Sequence, residues 1–162
     1  GQSKERTFLT EDELHRLMHT EMLTESLKSV RDLAVFQAFT GLGFSDLVKF
    51  DWSKAEKRGK HWFIRDARQK TGETFQLLLL SPAIQVLEKY NYCLPIISSQ
   101  QYNLRLKAVM DIAGIDKSIS SHCLRHTFAI YALNSGLAIE VIGKILGQKK
   151  ISTTQIYAKL LG

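Results

Sequence analysis

The 162-residue chain is poor in proline, in cysteine and in negative charge, and each shortage excludes something. Its two cysteines, Cys93 and Cys123, cannot make a disulfide framework, and a chain of this length buries a sizeable core without one. Both stand among apolar neighbours, which reads as buried reduced thiols suited to a reducing cytosol. Two prolines and the absence of any low-complexity run exclude a proline-rich linker or a disordered tail. No apolar stretch reaches transmembrane length, and the polar N-terminal segment carries no signal core. The run at 77–80, four leucines, reads as a buried strand. Against 22 Lys and Arg stand only 16 Asp and Glu, a net charge of +6. That surplus points to a polyanionic partner, nucleic acid or an anionic surface.

The length predicts a single domain over 1–162. Periodicity predicts mostly helix. Thr10 and Glu13 form a capping box opening a helix that continues through Leu14, Leu17 and Met18. A second helix is predicted over 27–40, with Leu33, Phe36, Gln37 and Thr40 on related faces and Gly41 and Gly43 at its end, Gly43 reading as a C-cap. Ser45-Asp46 caps a short third helix through Val48. The pattern then alternates: "HWFIRDARQ" and "TFQLLLL" flank a turn at Lys70-Thr71-Gly72, and a short strand near 48–52 is expected to pair with them. Further helices are predicted over 81–93 (Ser81 as N-cap, Pro82 first) and over 98–113. Another begins after Ser121 as N-cap and ends at Asn134-Ser135-Gly136, one covers 139–146, and a last short one contains Tyr157. The expected fold class is mainly α with a small antiparallel β-sheet.

The segment "HCLRHTFAIYAL", 122–133, crowds cationic groups into the first turns of an apolar helix. Leu124, Phe128 and Tyr131 form its apolar stripe, with His122 and Arg125 side by side on the flank. A helix N-terminus already presents unsatisfied N–H groups and positive dipole charge, so cations there cost stability until an anion arrives. Phosphate suits such a site, and arginine's planar fork matches its oxygens. A satisfied core histidine beside a surface arginine is the plainer reading of the same residues. His122, Cys123 and His126 could also be zinc ligands, but no glutamate lies between the histidines and no further Cys/His cluster completes a shell. No metal or other cofactor is expected.

"HCLRHTFAIYALNSGLAIEVIGKILGQKKISTTQIYAK" resembles the C-terminal signature of tyrosine recombinases, the integrases of phages and transposons. The family pattern is His-x-x-Arg, then Leu-Gly-His, then a nucleophilic tyrosine. Those positions are His122 and Arg125, Leu146-Gly147-Gln148, and Tyr157. "ISTTQIYAK" is especially similar to integrases of Bacteroides-like mobile elements. Upstream, "FQAFTGLGFSDLVKF" resembles the segment with the family's first catalytic arginine and an acidic residue. "RQKTGETFQLLLL" resembles the hairpin bearing a catalytic lysine, here Lys70, and "NLRLKAVMDIAGI" the helix before His-x-x-Arg.

The resemblance implies the recombinase catalytic-domain fold, without the N-terminal DNA-clamping domain the family normally adds. It implies a bacterial, cytoplasmic enzyme that cuts one strand of duplex DNA through a 3′-phosphotyrosyl link, without metal or nucleotide. Tyr157 is then the nucleophile. Arg125 holds the non-bridging oxygens, His122 assists proton transfer or donates to phosphate, Lys70 protonates the departing 5′-oxygen, and Asp46 supports His122. Other recombinase protomers are expected partners in a synaptic complex, the isolated domain being monomeric. Lys54, Lys57, Arg58, Lys60, Arg65, Arg68, Lys149 and Lys150 are candidate DNA contacts; a solvated loop is the plainer reading for many of them.

Two positions depart from the pattern. Gly43 stands where the family usually has arginine, and Gln148 where it often has histidine or tryptophan. Glutamine still donates from its amide, but glycine cannot clamp phosphate. Three explanations stand side by side: another arginine (Arg65, Arg68 or Arg105) reaches the site, the enzyme is slow, or the chain binds DNA without cutting it. Residues 121–147 also mimic a helix-turn-helix, but Ile139, Val141, Ile142, Ile145 and Leu146 make its second helix too apolar to read a groove.

Overall fold

The computed structural model describes residues 7–67 and 71–136. α1 (Glu11–His19) opens with the expected capping box, Thr10 Oγ1 accepting from the Glu13 N–H and Glu13 Oε1 from the Thr10 N–H. The same Oε1 accepts from Lys117 Nζ at 2.7 Å, so a local cap is also a tie across the chain. α2 (Glu25–Thr40) begins two residues earlier than periodicity indicated, because Thr24 supplies the N-cap, accepting from the Leu27 N–H. From Val30 to Thr40 every residue of α2 is buried, polar ones included. It is the central helix, packed on α1, α4 (Ser81–Lys89), α5 (Ser99–Ile112) and α6 (Ser121–Asn134).

Gly41 ends α2 with φ +71°, the left-handed C-cap that favours glycine. Gly43 does not share that role. Its φ of −70° and ψ of 164° are extended backbone, and it is the N-cap of α3 (Phe44–Val48). The C-cap reading of Gly43 is therefore overturned. So is the strand near 48–52: Val48 belongs to α3, and Trp52–Lys54 form a 3-10 turn opened by Asp51, which accepts from the Ser53 N–H. The first strand is instead β1 (Ala55–Arg58), which pairs antiparallel with β2 (His61–Ala67), followed by β3 (Thr74–Leu79) in the order β1-β2-β3.

The register sets Ile64 opposite both Ala55 and Leu77. Ile64, Leu77 and Leu79 are buried whereas Leu78 is exposed. A run of four leucines thus resolves into the two faces of an edge strand, not the wholly buried strand that its composition indicated. α4 places Leu80 at the N-cap and Ser81 at its first position, and stops at Lys89 rather than at 93. Asn91 and Tyr92 adopt positive φ there, and the Tyr92 N–H bonds back to Leu87 O at 2.7 Å. Cys93 follows that turn and is exposed, contrary to the buried-thiol expectation, while Cys123 is half-buried. α5 starts after Ser98, whose hydroxyl accepts from the Gln101 N–H, and ends before Gly114. Among the described residues no helix is long and apolar enough to cross a membrane.

Candidate active site

α6 begins one residue earlier than the sequence indicated. Ser120 is its N-cap and Ser121 its first residue. Ser121 does not cap; its N–H donates to Asn103 Oδ1 of α5 at 2.9 Å, and its Oγ accepts from Gln37 Nε2 of α2 at 2.7 Å. The first turn of α6 is thereby fastened to two other helices. Leu124 and Phe128 of the expected stripe are buried, Tyr131 only half so. His122 is exposed on the outer flank, Arg125 is half-buried, and His126 is buried one turn on, its ring 4.2 Å from that of His122 in edge contact.

Arg125 reaches the α2–α3 connection. A Cβ placed on Gly43 would lie 3.4 Å from Arg125 Nη1 and, among the described residues beyond its chain neighbours, would meet no other heavy atom within 4 Å. The fold therefore brings together two segments that the sequence separates by some eighty residues: the Gly43 position and the His122–Arg125 turn. Asp46, half-buried, lies on α3 three residues beyond Gly43, and its N–H bonds to Gly43 O at 3.1 Å. The arrangement sets a guanidinium and an imidazole at a helix N-terminus, a seat suited to a phosphate group. Among the described residues no three His, Cys, Asp or Glu side chains form a group able to hold a metal ion.

Beneath the seat lies a buried polar chain that sequence patterning missed. Tyr102 and Gln37 are both 0% exposed. The Tyr102 hydroxyl donates to Gln37 Oε1 at 3.0 Å, and Gln37 Nε2 donates to Leu42 O at 2.9 Å as well as to Ser121 Oγ. Burial raises the Tyr102 phenol well above its ordinary range, so it stays a neutral donor. That fixes which end of the Gln37 amide faces which partner. The sequence signal was a glutamine among apolar residues, between Phe36 and Ala38, on the inward face of α2.

The remaining candidates divide. Lys70, Arg68, Gln148, Lys149, Lys150 and Tyr157 lie outside the described residues. The strands on either side of the Lys70 turn are in place, their last pair being Ala67 and Thr74. Arg65 is exposed on β2, on the face opposite buried Ile64, and Arg105 is half-buried on α5. Lys54 pairs with Asp66 at 2.8 Å. Burial would raise the Asp66 carboxyl, but the Lys54 bond and the Ala67 N–H hold it below its usual range. Lys57 lies over the Trp62 ring, Arg58 over Phe63 with Glu56 at 3.4 Å, and Lys60 is exposed in the β1–β2 turn. Apart from Arg105, these cations lie on the sheet or at its edge.

Residues 95–161 match the phage integrase family. Tyrosine recombinase XerD of Oceanobacillus iheyensis is 30% identical over 168 residues, covering 92% of this chain and 56% of that protein. The chain belongs to the tyrosine recombinase family. XerD of Corynebacterium glutamicum is 44% identical over 55 residues, 34% of this chain and 18% of that protein. The fold is that of the family's solved catalytic domains. The XerH site-specific recombinase bound to palindromic difH substrate, a post-cleavage complex, superposes with a TM-score of 0.79 at 16% identity, covering 97% of this chain and 50% of that one. The chain spans just over half the length of the relative it matches over 92% of its residues.

Proposed function

We propose that residues 1–162 are the catalytic domain of a site-specific recombinase or integrase that cuts and rejoins duplex DNA for a mobile element. The observation that carries the reading is the convergence of Arg125 on the Gly43 position at the N-terminus of α6, in a chain whose motifs follow the family's order. Arg125 and His122 hold the non-bridging oxygens of the scissile phosphate and stabilise the charge that builds as the fifth oxygen approaches. Tyr157 attacks phosphorus as its phenol proton passes to His122 or to solvent. The bond to the 5′-oxygen breaks, Lys70 delivers a proton to that oxygen, and a 3′-phosphotyrosyl ester remains. A phenol with a pKa near ~10 is a poor nucleophile at neutral pH, so nearby cations must favour its phenolate. Asp46 supports His122, and Gln148 donates a hydrogen bond to phosphate. The reaction exchanges one phosphodiester for another, which keeps the bond energy for religation by the reverse step. Further protomers of the same protein assemble on the DNA, and the isolated domain is monomeric in the bacterial cytoplasm.

The test is covalent trapping on a nicked duplex from the host element, with Tyr157→Phe as control. An adduct that survives denaturation and is absent from the control is the expected result. Retention of DNA without any adduct would favour a relative that binds but does not cut.

A further inference from the structure

Gln37 sits in the middle of α2 with no exposed surface, flanked by Phe36 and Ala38, which are equally buried. A buried amide costs stability unless its groups are paired, and an apolar residue of like volume would fill the space without that demand. Here both ends of the amide are engaged, and the three partners come from three different segments. Leu42 immediately precedes Gly43, Ser121 opens α6, and Tyr102 lies on α5. A single side chain therefore spans the loop that carries Gly43 and the turn that carries His122 and Arg125. With no side chain at position 43, the seat of the Arg125 guanidinium on that side depends on where this loop lies.

We propose that Gln37 is a positioning residue: through Leu42 O and Ser121 Oγ it locks the Gly43 loop to the first turn of α6 and so sets the placement of the phosphate seat. Gln37 touches no substrate. Tyr102 completes the lock by holding the amide in the orientation that donates to both segments. The consequence for cleavage rests on the recombinase reading, while the coupling of the two segments does not require DNA.

The experiment uses the 162-residue chain with Gln37→Met, Ser121→Ala, Ser121→Thr and the double variant Gln37→Met/Ser121→Ala. Ser121→Ala removes the acceptor without touching the α2 core, which covers the case in which Gln37→Met fails to fold. Single-turnover adduct formation on a nicked duplex is expected to fall by about 10- to 100-fold in Ser121→Ala, the penalty of misplacing a reactive geometry. DNA affinity should stay within about twofold, Ser121→Thr should restore the rate, and the double variant should be no slower than the slower single one. Unchanged adduct formation in Ser121→Ala, or a loss that Ser121→Thr does not restore, overturns the proposal. Hydrogen exchange without DNA gives the second readout. The Asp46 and Leu47 N–H groups bond to Gly43 O, and Ser121→Ala should speed their exchange while leaving α1 unchanged. Unaltered exchange there overturns the coupling. Failure of the unsubstituted chain to form an adduct sinks the recombinase reading instead, and the exchange result then decides the coupling alone.

Discussion

Replacing Gly43 with arginine tests the site most directly, because the backbone there does not require glycine. With φ −70° and ψ 164° any L-residue adopts the conformation, so removing glycine's freedom in the unfolded chain should stabilise by roughly 0.4–1 kcal/mol. Among the described residues beyond its chain neighbours the new Cβ meets Arg125 Nη1 alone, at 3.4 Å, and that is the far end of a flexible side chain that can give by a few tenths of an ångström. The opposing term is charge. Two guanidiniums about 5 Å apart repel by roughly 1–3 kcal/mol for effective dielectric constants between those of water and a protein surface. Gly43→Arg should therefore be destabilised by at most ~3 kcal/mol without DNA, less so at high salt, and the penalty should vanish when phosphate occupies the seat.

In catalysis the sign reverses. A second donor on the phosphate oxygens is worth about 10²–10³ in rate, so Gly43→Arg should form adduct faster than the unsubstituted chain by up to that factor. Gly43→Ala, which adds the carbon but no charge, should match the unsubstituted rate. The assay is single-turnover adduct formation with urea unfolding of the same samples. A folded Gly43→Arg protein whose rate stays within twofold of the unsubstituted chain would refute the reasoning, and would mean that the donor position is already filled by another group.

Gly41→Ala should behave oppositely to Gly43→Ala: φ is +71° and the added carbon would clash with the Phe128 ring, so a stability loss of about 2–4 kcal/mol is expected in urea unfolding. The Tyr90 phenol, pushed up to about 12 by burial and then by its bond to Asp32, stays protonated in the fold beyond the pH at which it ionises in the unfolded chain. Its contribution to stability is therefore complete below pH ~10 and lost as pH rises from there through about 12. Urea midpoints between pH 8 and 12 should fall less steeply in Tyr90→Phe than in the unsubstituted chain.

Among the described residues the existence of the helices was legible in the sequence, several of them from a side-chain cap or an amphipathic period. Thr10 and Ser98 accept the bonds that their positions advertise, whereas the Thr24 cap of α2 went unread. What was not legible was which of two neighbouring residues takes a role that tertiary contacts assign. Ser120 and Ser121 are equivalent as caps by composition. The structure gives the cap to Ser120 because Ser121 faces Gln37 and Asn103, partners 84 and 18 residues away. The same holds for Leu77, Leu78 and Leu79 of β3, whose two faces separate only once β2 lies beside them.

Gln37 shows why a site's supports are harder to read than its reactive groups. Arg125 and His122 announced themselves by breaking a local rule, cations at a positive helix end, and the cost of that violation is what made them candidates. Gln37 also breaks a rule, a polar group on a buried face, but the violation is cancelled by partners on three other segments, so nothing near it in sequence records the compensation. Gly41 and Gly43 divide along the same line. The first is demanded by its own backbone and was legible. The second is permitted by its backbone, and its meaning comes only from the guanidinium across the gap. In this chain the local strain of the sequence marks the proposed phosphate seat, whereas the bonds proposed to position it join segments that the sequence keeps apart.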